Sequence, residues 1–305
     1  MILIIMLYAL FAGSIVASKV ILPYTKPIFL TGIRMFLGGV ALLSYEYFHP
    51  HRKFKFHKED MWFYFQLMFF GVYITYILRF WALEYMPAFK MSFLYNLSPF
   101  LTSFYCYLFF KEKLTKKQWI GLSIGLLGIL PILINRTPGE ANWGEFLFIS
   151  WPELAILVSV ATNSYSWIVM RNLVREKKYS PVMVNGISMT AGGLLALITS
   201  PIFEPLLPVT HVFSFIAGLT FIVIVSNIIC HNLYGHLLRN YSATLLSFAG
   251  FLTPLFTAAY EWMLYDVHIT WHFYASCAIV LIGLFAFYQD ELRQQVIKFD
   301  EAPEA

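Results

Sequence analysis

Long apolar stretches alternate with short polar segments along almost the whole chain of 305 residues. A helix needs about 20 consecutive apolar residues to cross a hydrocarbon core roughly 30 Å thick. Ten stretches match or approach this length: 2–22, 27–48, 62–85, 88–110, 119–135, 151–170, 182–203, 212–237, 243–264 and 271–289. The pattern predicts an all-α integral membrane protein with ten transmembrane helices, numbered here as spans one to ten.

The basic residues predict how these spans are oriented, because cytoplasmic loops carry an excess of Lys and Arg. If the N-terminus is cytoplasmic, fifteen basic residues lie inside, three lie outside and three lie within spans. The inside set is Arg52, Lys53, Lys55, Lys58, Lys111, Lys113, Lys116, Lys117, Arg171, Arg175, Lys177, Lys178, Arg239, Arg293 and Lys298. We therefore expect both termini, and the tail 290–305, to be cytoplasmic at the cell (inner) membrane.

The chain also repeats itself. A shift of 155 residues aligns the segment from Leu97 to Ser103 with the segment from Leu252 to Ala258, and a shift of 154 aligns Gly38-Gly39 with Gly192-Gly193. Each half, 2–135 and 151–289, then holds five spans. An odd number of spans inverts the second half relative to the first, and such inverted repeats are typical of transporters with a midplane site.

Composition supports the membrane class and excludes several others. The chain is 59% hydrophobic and 12% charged, whereas soluble domains are about 25% charged. Its basic residues sit between apolar spans, so they do not form a nucleic-acid surface. The cysteines Cys106, Cys230 and Cys277 have no metal or disulfide spacing. No phosphate loop or nucleophile elbow is visible, so we expect no enzyme activity and no cofactor.

Particular motifs resemble a known family. The stretches Ala82 to Ala88, Leu94 to Pro99 and Phe110 to Gly121 are similar to the drug/metabolite transporter superfamily, EamA type. Gly13 to Lys19 and Pro27 to Arg34 follow the same pattern, and the likeness covers both halves. The second half departs from it: the family's glutamate, matched in the first half by Glu112, falls at Val267 beside Asp266.

The resemblance implies a ten-helix fold with a central cavity lined by spans one, three, four, six, eight and nine. Members of the superfamily carry amino acids, aromatic amino acids, nucleotide-linked sugars and S-adenosylmethionine. The pattern of spans one to four resembles the branch that exchanges S-adenosylmethionine for S-adenosylhomocysteine.

Four cations lie in or beside the spans at similar predicted depth: Lys19, Arg34, Arg79 and Lys90. An ionisable group inside a span is costly, so each is a candidate for function. One interpretation is a positive outer vestibule that holds a carboxylate. In the other, Lys19, Arg79 and Lys90 extend to the interface, with Arg79 paired to Glu84, and Arg34 anchors neighbouring helices.

Aromatic and amide side chains form a second candidate group, since flat walls with a few amides suit a planar ring that carries a polar head. The main members are Tyr76, Tyr95, Asn96, Asn163, Tyr165, Trp167, Asn227 and His231. Tyr73, Trp81, Asn232 and Tyr234 are further candidates. Most of the chain's many aromatic residues must face lipid or pack between helices, and packing remains the alternative for each.

Histidines and prolines leave alternatives open. His231 is either a proton relay or a hydrogen-bonded packing residue. His268 and His272 have the spacing of a metal pair but no third ligand, so we expect no metal. Pro99 and Pro254 break spans four and nine either at a bending point or at a packing kink. The Gly121-to-Gly128 stripe serves either the bundle or a dimer.

The leading hypothesis is a secondary transporter in a lipid bilayer that moves a small zwitterion by alternating access. Its cargo is S-adenosylmethionine or S-adenosylhomocysteine, or an aromatic amino acid in the alternative. A coupling ion or counter-substrate would drive it, and its oligomeric state is open. An ungated channel or a membrane scaffold is the competing hypothesis from another class.

Overall fold

A computed structural model describes residues 2–48, 57–111, 115–128, 130–134, 140, 142–146, 149–205, 209–241, 246, 249–265 and 270–300. The helices follow in chain order. They are α1 Ile2–Ile21, α2 Pro27–Phe48, α3 Met61–Gln66, α4 Thr75–Tyr85, α5 Ala88–Leu94, α6 Ser98–Phe110, α7 Lys116–Leu127, α8 Leu130–Ile134, α9 Trp151–Arg171, α10 Pro181–Phe203, α11 Val212–Ile222, α12 His231–Leu237, α13 Leu252–Tyr265 and α14 Trp271–Asp300.

Short elements connect or interrupt these helices. A two-stranded antiparallel ribbon, β1 (Glu145–Phe146) with β2 (Ile149–Ser150), precedes α9. A capping box begins α9: the Ser150 hydroxyl accepts from the Glu153 N–H, and the Glu153 carboxylate accepts from the Ser150 N–H. These contacts satisfy backbone donors that a helix N-terminus leaves free.

The described chain has three π-helical segments: Asn172–Glu176 follows α9, and the other two widen the backbone at related places. Leu67–Ile74 joins α3 to α4, and Val223–Cys230 joins α11 to α12. The two segments lie about one repeat length apart. Wide turns of this kind are rare, and they often occur at functional sites.

Six continuous helical stretches of the described chain are long and apolar enough to cross a membrane. They correspond to predicted spans one, two, three, six, seven and eight: Ile2–Tyr24, Pro27–Phe48, Lys58–Tyr85, Trp151–Glu176, Pro181–Phe203 and Val212–Leu237. Span four is divided by the 3₁₀ turn Tyr95–Leu97, just before Pro99. Span ten contains a shorter apolar stretch, Trp271–Gly283. Much of the start of span nine lies outside the described residues, so ten spans remain a prediction.

The chain divides into two compact units, residues 1–102 with 137–267, and residues 103–136 with 268–305. In the second unit α7 packs on α14 through glycine. A Cβ added at Gly283 would lie 2.6 Å from the Gly125 nitrogen, and one at Gly128 would lie 2.7 Å from the Val280 side chain. The glycine stripe therefore serves helix packing within this chain.

In the first unit α2 and α10 form the closest helix pair. A Cβ at Gly39 would lie 2.4 Å from the Thr190 nitrogen, and a Cβ at Gly193 would lie 2.4 Å from the Phe36 nitrogen. Similarly, Gly32 faces Leu197 and Gly186 faces Leu43. As residue numbers increase along α2, the residue numbers of their contacts on α10 decrease, so the two helices are antiparallel. Small residues allow this approach of backbones.

Polar contacts gather at the two ends of α10. Before its N-terminus, the Asp60 carboxylate accepts from Lys177 and from the Tyr179 hydroxyl at 2.6 Å. Burial, together with this bond to Asp60, raises the pKa of Tyr179, which stays a donor. After its C-terminus, the Glu204 carboxylate accepts from Ile28 N at 2.6 Å and from Phe29 N at 2.8 Å, at the start of α2.

Candidate functional site

A cavity inside the first unit encloses about 650 Å³ of empty space, its opening included. Pockets that hold small metabolites are concave and mostly apolar, with a few polar groups that fix orientation. The walls here are Tyr8, Phe11 and Ile15 of α1, Tyr76 and Arg79 of α4, Ser92, Tyr95 and Ser98 around α5, Asn163 and Trp167 of α9, His231 and Tyr234 of α12, and Gly250 with Thr253 before and within α13. Residues from one helix are three or four positions apart, so each helix presents one face.

Ten of these residues form five pairs separated by 155 positions, the length of the sequence repeat. The pairs are Tyr8 with Asn163, Tyr76 with His231, Arg79 with Tyr234, Tyr95 with Gly250, and Ser98 with Thr253. Equivalent positions in the two halves therefore line one cavity. The two residues of each pair are of different types. The two halves therefore contribute equivalent positions to the wall but different side chains.

One of these pairs is joined by a hydrogen bond. The Tyr76 hydroxyl lies 2.6 Å from His231 Nε2, and His231 Nδ1 lies 2.6 Å from the Ser226 carbonyl oxygen. A carbonyl oxygen only accepts, so we assign the hydrogen to Nδ1. In the neutral ring, Nε2 then accepts the Tyr76 proton.

A second cavity, with about 390 Å³ of empty space, adjoins the same groups. Tyr76, Asn163, Trp167 and His231 line both cavities, so these four side chains form a partition between them. The far side of the partition is lined by Met35, Met170 and Met189, by Asn185 and Ser188, and by Leu67, Gly71, Val72 and Ser166.

Arg79 supplies positive charge to the larger cavity. Its guanidinium carbon lies 4.7 Å from the Tyr95 ring centroid and 5.7 Å from that of Tyr76. Within the described part of the chain no carboxylate pairs with it, and the expected Arg79–Glu84 ion pair is not formed. A planar guanidinium beside aromatic faces can bind a carboxylate through two parallel hydrogen bonds.

The structure brings together seven of the predicted candidates at this cavity: Tyr76, Arg79, Tyr95, Asn163, Trp167, His231 and Tyr234. Five others, Lys19, Arg34, Asn96, Tyr165 and Asn227, do not line it. Tyr165 donates to the Gln66 side chain at 2.7 Å. Asn96 is 3% exposed and lies in the turn after α5.

Lys19 stabilises a helix end. Its Nζ donates to the carbonyl oxygens of Leu83 and, at 2.9 Å, of Met86. These carbonyls lie at the C-terminal end of α4, where the last groups of a helix lack partners and carry partial negative charge. The ammonium of Lys19 therefore binds the end of α4 and does not line the larger cavity.

Arg34 and Asn227 hold α2 against the π-helical segment Val223–Cys230. Arg34 is 2% exposed, and its Nε and Nη2 donate to the Asn227 oxygen at 3.1 and 2.8 Å. Nη2 also donates to the Ser226 hydroxyl at 2.9 Å. This geometry agrees with the expectation that Arg34 anchors neighbouring helices.

Lys90 is buried rather than exposed at an outer mouth. Its Nζ lies 2.7 Å from Glu140 and 2.8 Å from Glu153. All three side chains are at most 2% exposed. Two acidic residues from beyond span four therefore neutralise the Lys90 ammonium, and Lys90 does not line the larger cavity.

Other candidates have partners away from the larger cavity. Tyr73 donates to Thr199 at 3.0 Å, and Trp81 packs against Trp143. Asn232 donates to the Ile228 carbonyl at 2.7 Å and accepts from the Asn185 amide at 3.0 Å. Among the described residues no cluster has metal-binding composition. His268, Glu112 and Val267 lie outside the described part of the chain.

Several cavity residues were not predicted: Tyr8, Phe11, Ile15, Ser92, Ser98, Gly250 and Thr253. The spacing of Tyr8, Phe11 and Ile15 places them on one helical face, and Tyr8 is the repeat equivalent of the predicted Asn163. Applying the repeat shift to each predicted residue would therefore have found Tyr8 from Asn163 and Gly250 from Tyr95.

Comparison with known proteins places these features in a family. The model of the EamA-like transporter family matches residues 1–134 and 150–289. An S-adenosylmethionine/S-adenosylhomocysteine transporter of Chlamydia muridarum is 32% identical, over 96% of this chain and 92% of the relative. The protein of the same name from Chlamydia trachomatis serovar L2 is 30% identical, over 96% and 90%.

A solved crystal structure shares the fold, with a TM-score of 0.66 and 16% identity over 93% of this chain and 94% of that one. The family match spans both sequence halves and so confirms the resemblance drawn from the motifs. The chain therefore belongs to the EamA-like transporter family of the drug/metabolite transporter superfamily.

Proposed function

We propose that this protein is a secondary transporter that works by alternating access. Its proposed cargo is S-adenosylmethionine, S-adenosylhomocysteine or a related amino-acid-like zwitterion. The observation that carries the proposal is a cavity, with about 650 Å³ of empty space when its opening is included, in which one arginine faces several aromatic rings. The names of the two chlamydial relatives support this choice of cargo.

The proposed architecture is ten spans in two inverted halves. The five residue pairs separated by 155 positions support it, since they line one cavity from both halves. The reciprocal glycine contacts of α2 and α10 support it as well. Two related halves around a central cavity can exchange roles, so that the cavity opens first to one side and then to the other.

The proposed topology places both termini in the cytoplasm of a cell whose inner membrane holds the protein. The contacts of Asp60 with Lys177 and Tyr179 support this topology. They join the segment before span three to the segment before span seven, and both were expected to be cytoplasmic from their basic residues.

Each part of the cargo has a chemically suitable partner in the cavity. The Arg79 guanidinium binds the carboxylate. Tyr95 and Trp167 offer flat faces to a purine ring, and Asn163 and Ser98 offer polar groups to its edges. Aromatic faces also attract the positive ammonium and sulfonium groups by cation–π interaction.

An aromatic amino acid is the second candidate, because it also combines a carboxylate with a flat ring. Counterflow separates the two candidates and tests transport itself. Vesicles containing the protein would be preloaded with unlabelled S-adenosylmethionine, and uptake of the labelled compound would be competed by tryptophan, phenylalanine and adenosine. We expect saturable uptake that S-adenosylhomocysteine inhibits and the two amino acids do not.

Arg79→Gln tests the proposed carboxylate contact. A hydrogen bond to a charged group is worth about 1.5–3 kcal/mol, so affinity should fall roughly tenfold to a hundredfold. The matched control is Arg175→Gln, which removes an exposed arginine that lines neither cavity. Flux that is linear in concentration without exchange would favour a channel, and inhibition by tryptophan alone would favour the amino-acid cargo.

A further inference from the structure

A small cavity with about 200 Å³ of empty space adjoins the larger one, and Arg79 lines both. Its other walls are Ser14, Ile15, Ser18, Arg34, Phe80, Leu83 and Ser226. Two guanidinium groups and three hydroxyl groups thus face one confined space. This space is less than a third of the larger cavity's 650 Å³, so only a small group fits here.

The guanidinium of Arg34 has donors to spare in this cavity. Its Nε and Nη2 are used by Asn227 and Ser226. In the described part of the chain, the two N–H groups of Nη1 have no partner, although the side chain is 2% exposed and lines the cavity. A buried donor without a partner is costly, and a charged one more so.

The hydroxyl groups divide into two kinds. Ser226 accepts from Arg34, so its own proton is free to donate. Ser14 and Ser18 donate to the carbonyls of Phe11 and Ser14 within their own helix. The donors available to a ligand are therefore Arg34 Nη1, the Arg79 guanidinium and the Ser226 hydroxyl.

The charges of the two arginines also favour an anionic ligand. Among the described residues no carboxylate pairs with either Arg34 or Arg79. Two positive groups inside a membrane protein without a counter-charge are expensive. A single negative charge between them lowers that cost and occupies the free donors together.

We infer that the cavity between Arg34 and Arg79 binds one small monovalent anion, either a carboxylate group or a halide. If the anion is a carboxylate, it is the carboxylate of the cargo, which would extend past Arg79 into the small cavity. This source of the anion rests on the proposed function. The halide would be free chloride, and that origin does not depend on the identity of the cargo.

Thermal unfolding of the purified full-length protein in detergent tests the site without any transport assay. Sodium chloride and sodium acetate would be compared with sodium gluconate at equal ionic strength, since gluconate is too large for the cavity. We expect chloride or acetate to raise the Tm in a saturable way. Arg79→Gln and Ser226→Ala should each weaken the apparent anion affinity about tenfold or more, whereas Arg175→Gln should leave it unchanged.

Arg34→Gln should abolish the anion effect, and Arg79→Gln keeps the test valid if Arg34→Gln fails to fold. Binding of labelled S-adenosylmethionine then identifies the source of the anion. Competition by chloride assigns the site to the cargo carboxylate, and a requirement for chloride assigns it to a free halide. Equal Tm values in all three salts, or the same anion shift in Arg79→Gln and Ser226→Ala as in the native chain, would overturn the inference.

Discussion

Tyr76 and His231 meet at the partition between the two cavities, with 2.6 Å between the Tyr76 hydroxyl and His231 Nε2. The His231 ring is fixed from its other side by the Ser226 carbonyl. The Tyr76 ring lies under two cations, 5.1 Å from the Arg34 guanidinium carbon and 5.7 Å from that of Arg79. One phenol therefore connects the partition to the proposed binding groups.

Tyr76→Phe should lower the rate of exchange about tenfold. The substitution keeps the ring beneath both arginines but leaves His231 Nε2 without its donor, and an unsatisfied buried group costs about 1–3 kcal/mol. The measurement is counterflow at saturating cargo. Tyr73→Phe is the matched control. Tyr73 lies in the same span as Tyr76 and also donates a hydroxyl hydrogen bond, to Thr199, but it lines neither cavity. Equal rates in the two variants would remove the Tyr76 hydroxyl from the transport cycle.

Among helices, the antiparallel pair α2 and α10 depends on residues without side chains. At Gly39 and Gly193 the nearest facing atom belongs to the partner backbone, which cannot rotate away as a side chain can. The π-helical segment Val223–Cys230 also approaches this pair, since a Cβ at Gly38 would lie 2.7 Å from the Asn227 Cβ. Helix α2 is thus fixed by close contacts along its middle.

Gly39→Ala should reduce the yield of monodisperse protein, because the added Cβ would lie 2.4 Å from the Thr190 nitrogen. Overpacking of this kind costs about 1–3 kcal/mol. Size-exclusion chromatography of a fluorescent fusion measures the yield. Gly13→Ala provides the comparison, since its Cβ would be 3.8 Å from the Tyr260 ring, an ordinary contact. A normal profile for Gly39→Ala would show that α2 and α10 can separate without loss of the fold.

At the scale of the whole molecule, the connecting segments fall into two groups, one at each end of α10, and polar contacts join the segments within each group. Asp60 joins Lys177 and Tyr179 at one end, while Glu204 caps α2 at the other. The grouping matches the distribution of basic residues along the sequence. It makes the proposed topology testable with single cysteines.

Lys26→Cys should react with an impermeant maleimide in intact cells, whereas Glu59→Cys should react only after permeabilisation. Both positions are exposed, and they neighbour opposite ends of the helical bundle. The native thiols Cys106, Cys230 and Cys277 are buried, so background labelling should be low. Reaction of both variants from the same side would rule out the proposed inverted arrangement.

The sequence by itself determined the membrane class, the family and the repeat, because all three depend only on the order of residues along the chain. Apolar runs of span length need lipid around them wherever they fold. The repeat shift of 155 residues is enough to pair positions such as Tyr76 and His231. Seven of the predicted candidates also lie at one cavity, since polar groups in apolar spans need a common polar space.

The tertiary structure decided which charges are free. Lys19, Arg34, Arg79 and Lys90 are alike in sequence, as single cations in or beside apolar spans. Their partners come from distant segments: the end of α4 binds Lys19, Asn227 binds Arg34, and Glu153 binds Lys90. A charge in a membrane is stabilised by whichever acceptors the fold brings within hydrogen-bonding distance, and local sequence does not contain that information. Only the packed helices single out Arg79 as the cation facing the large cavity.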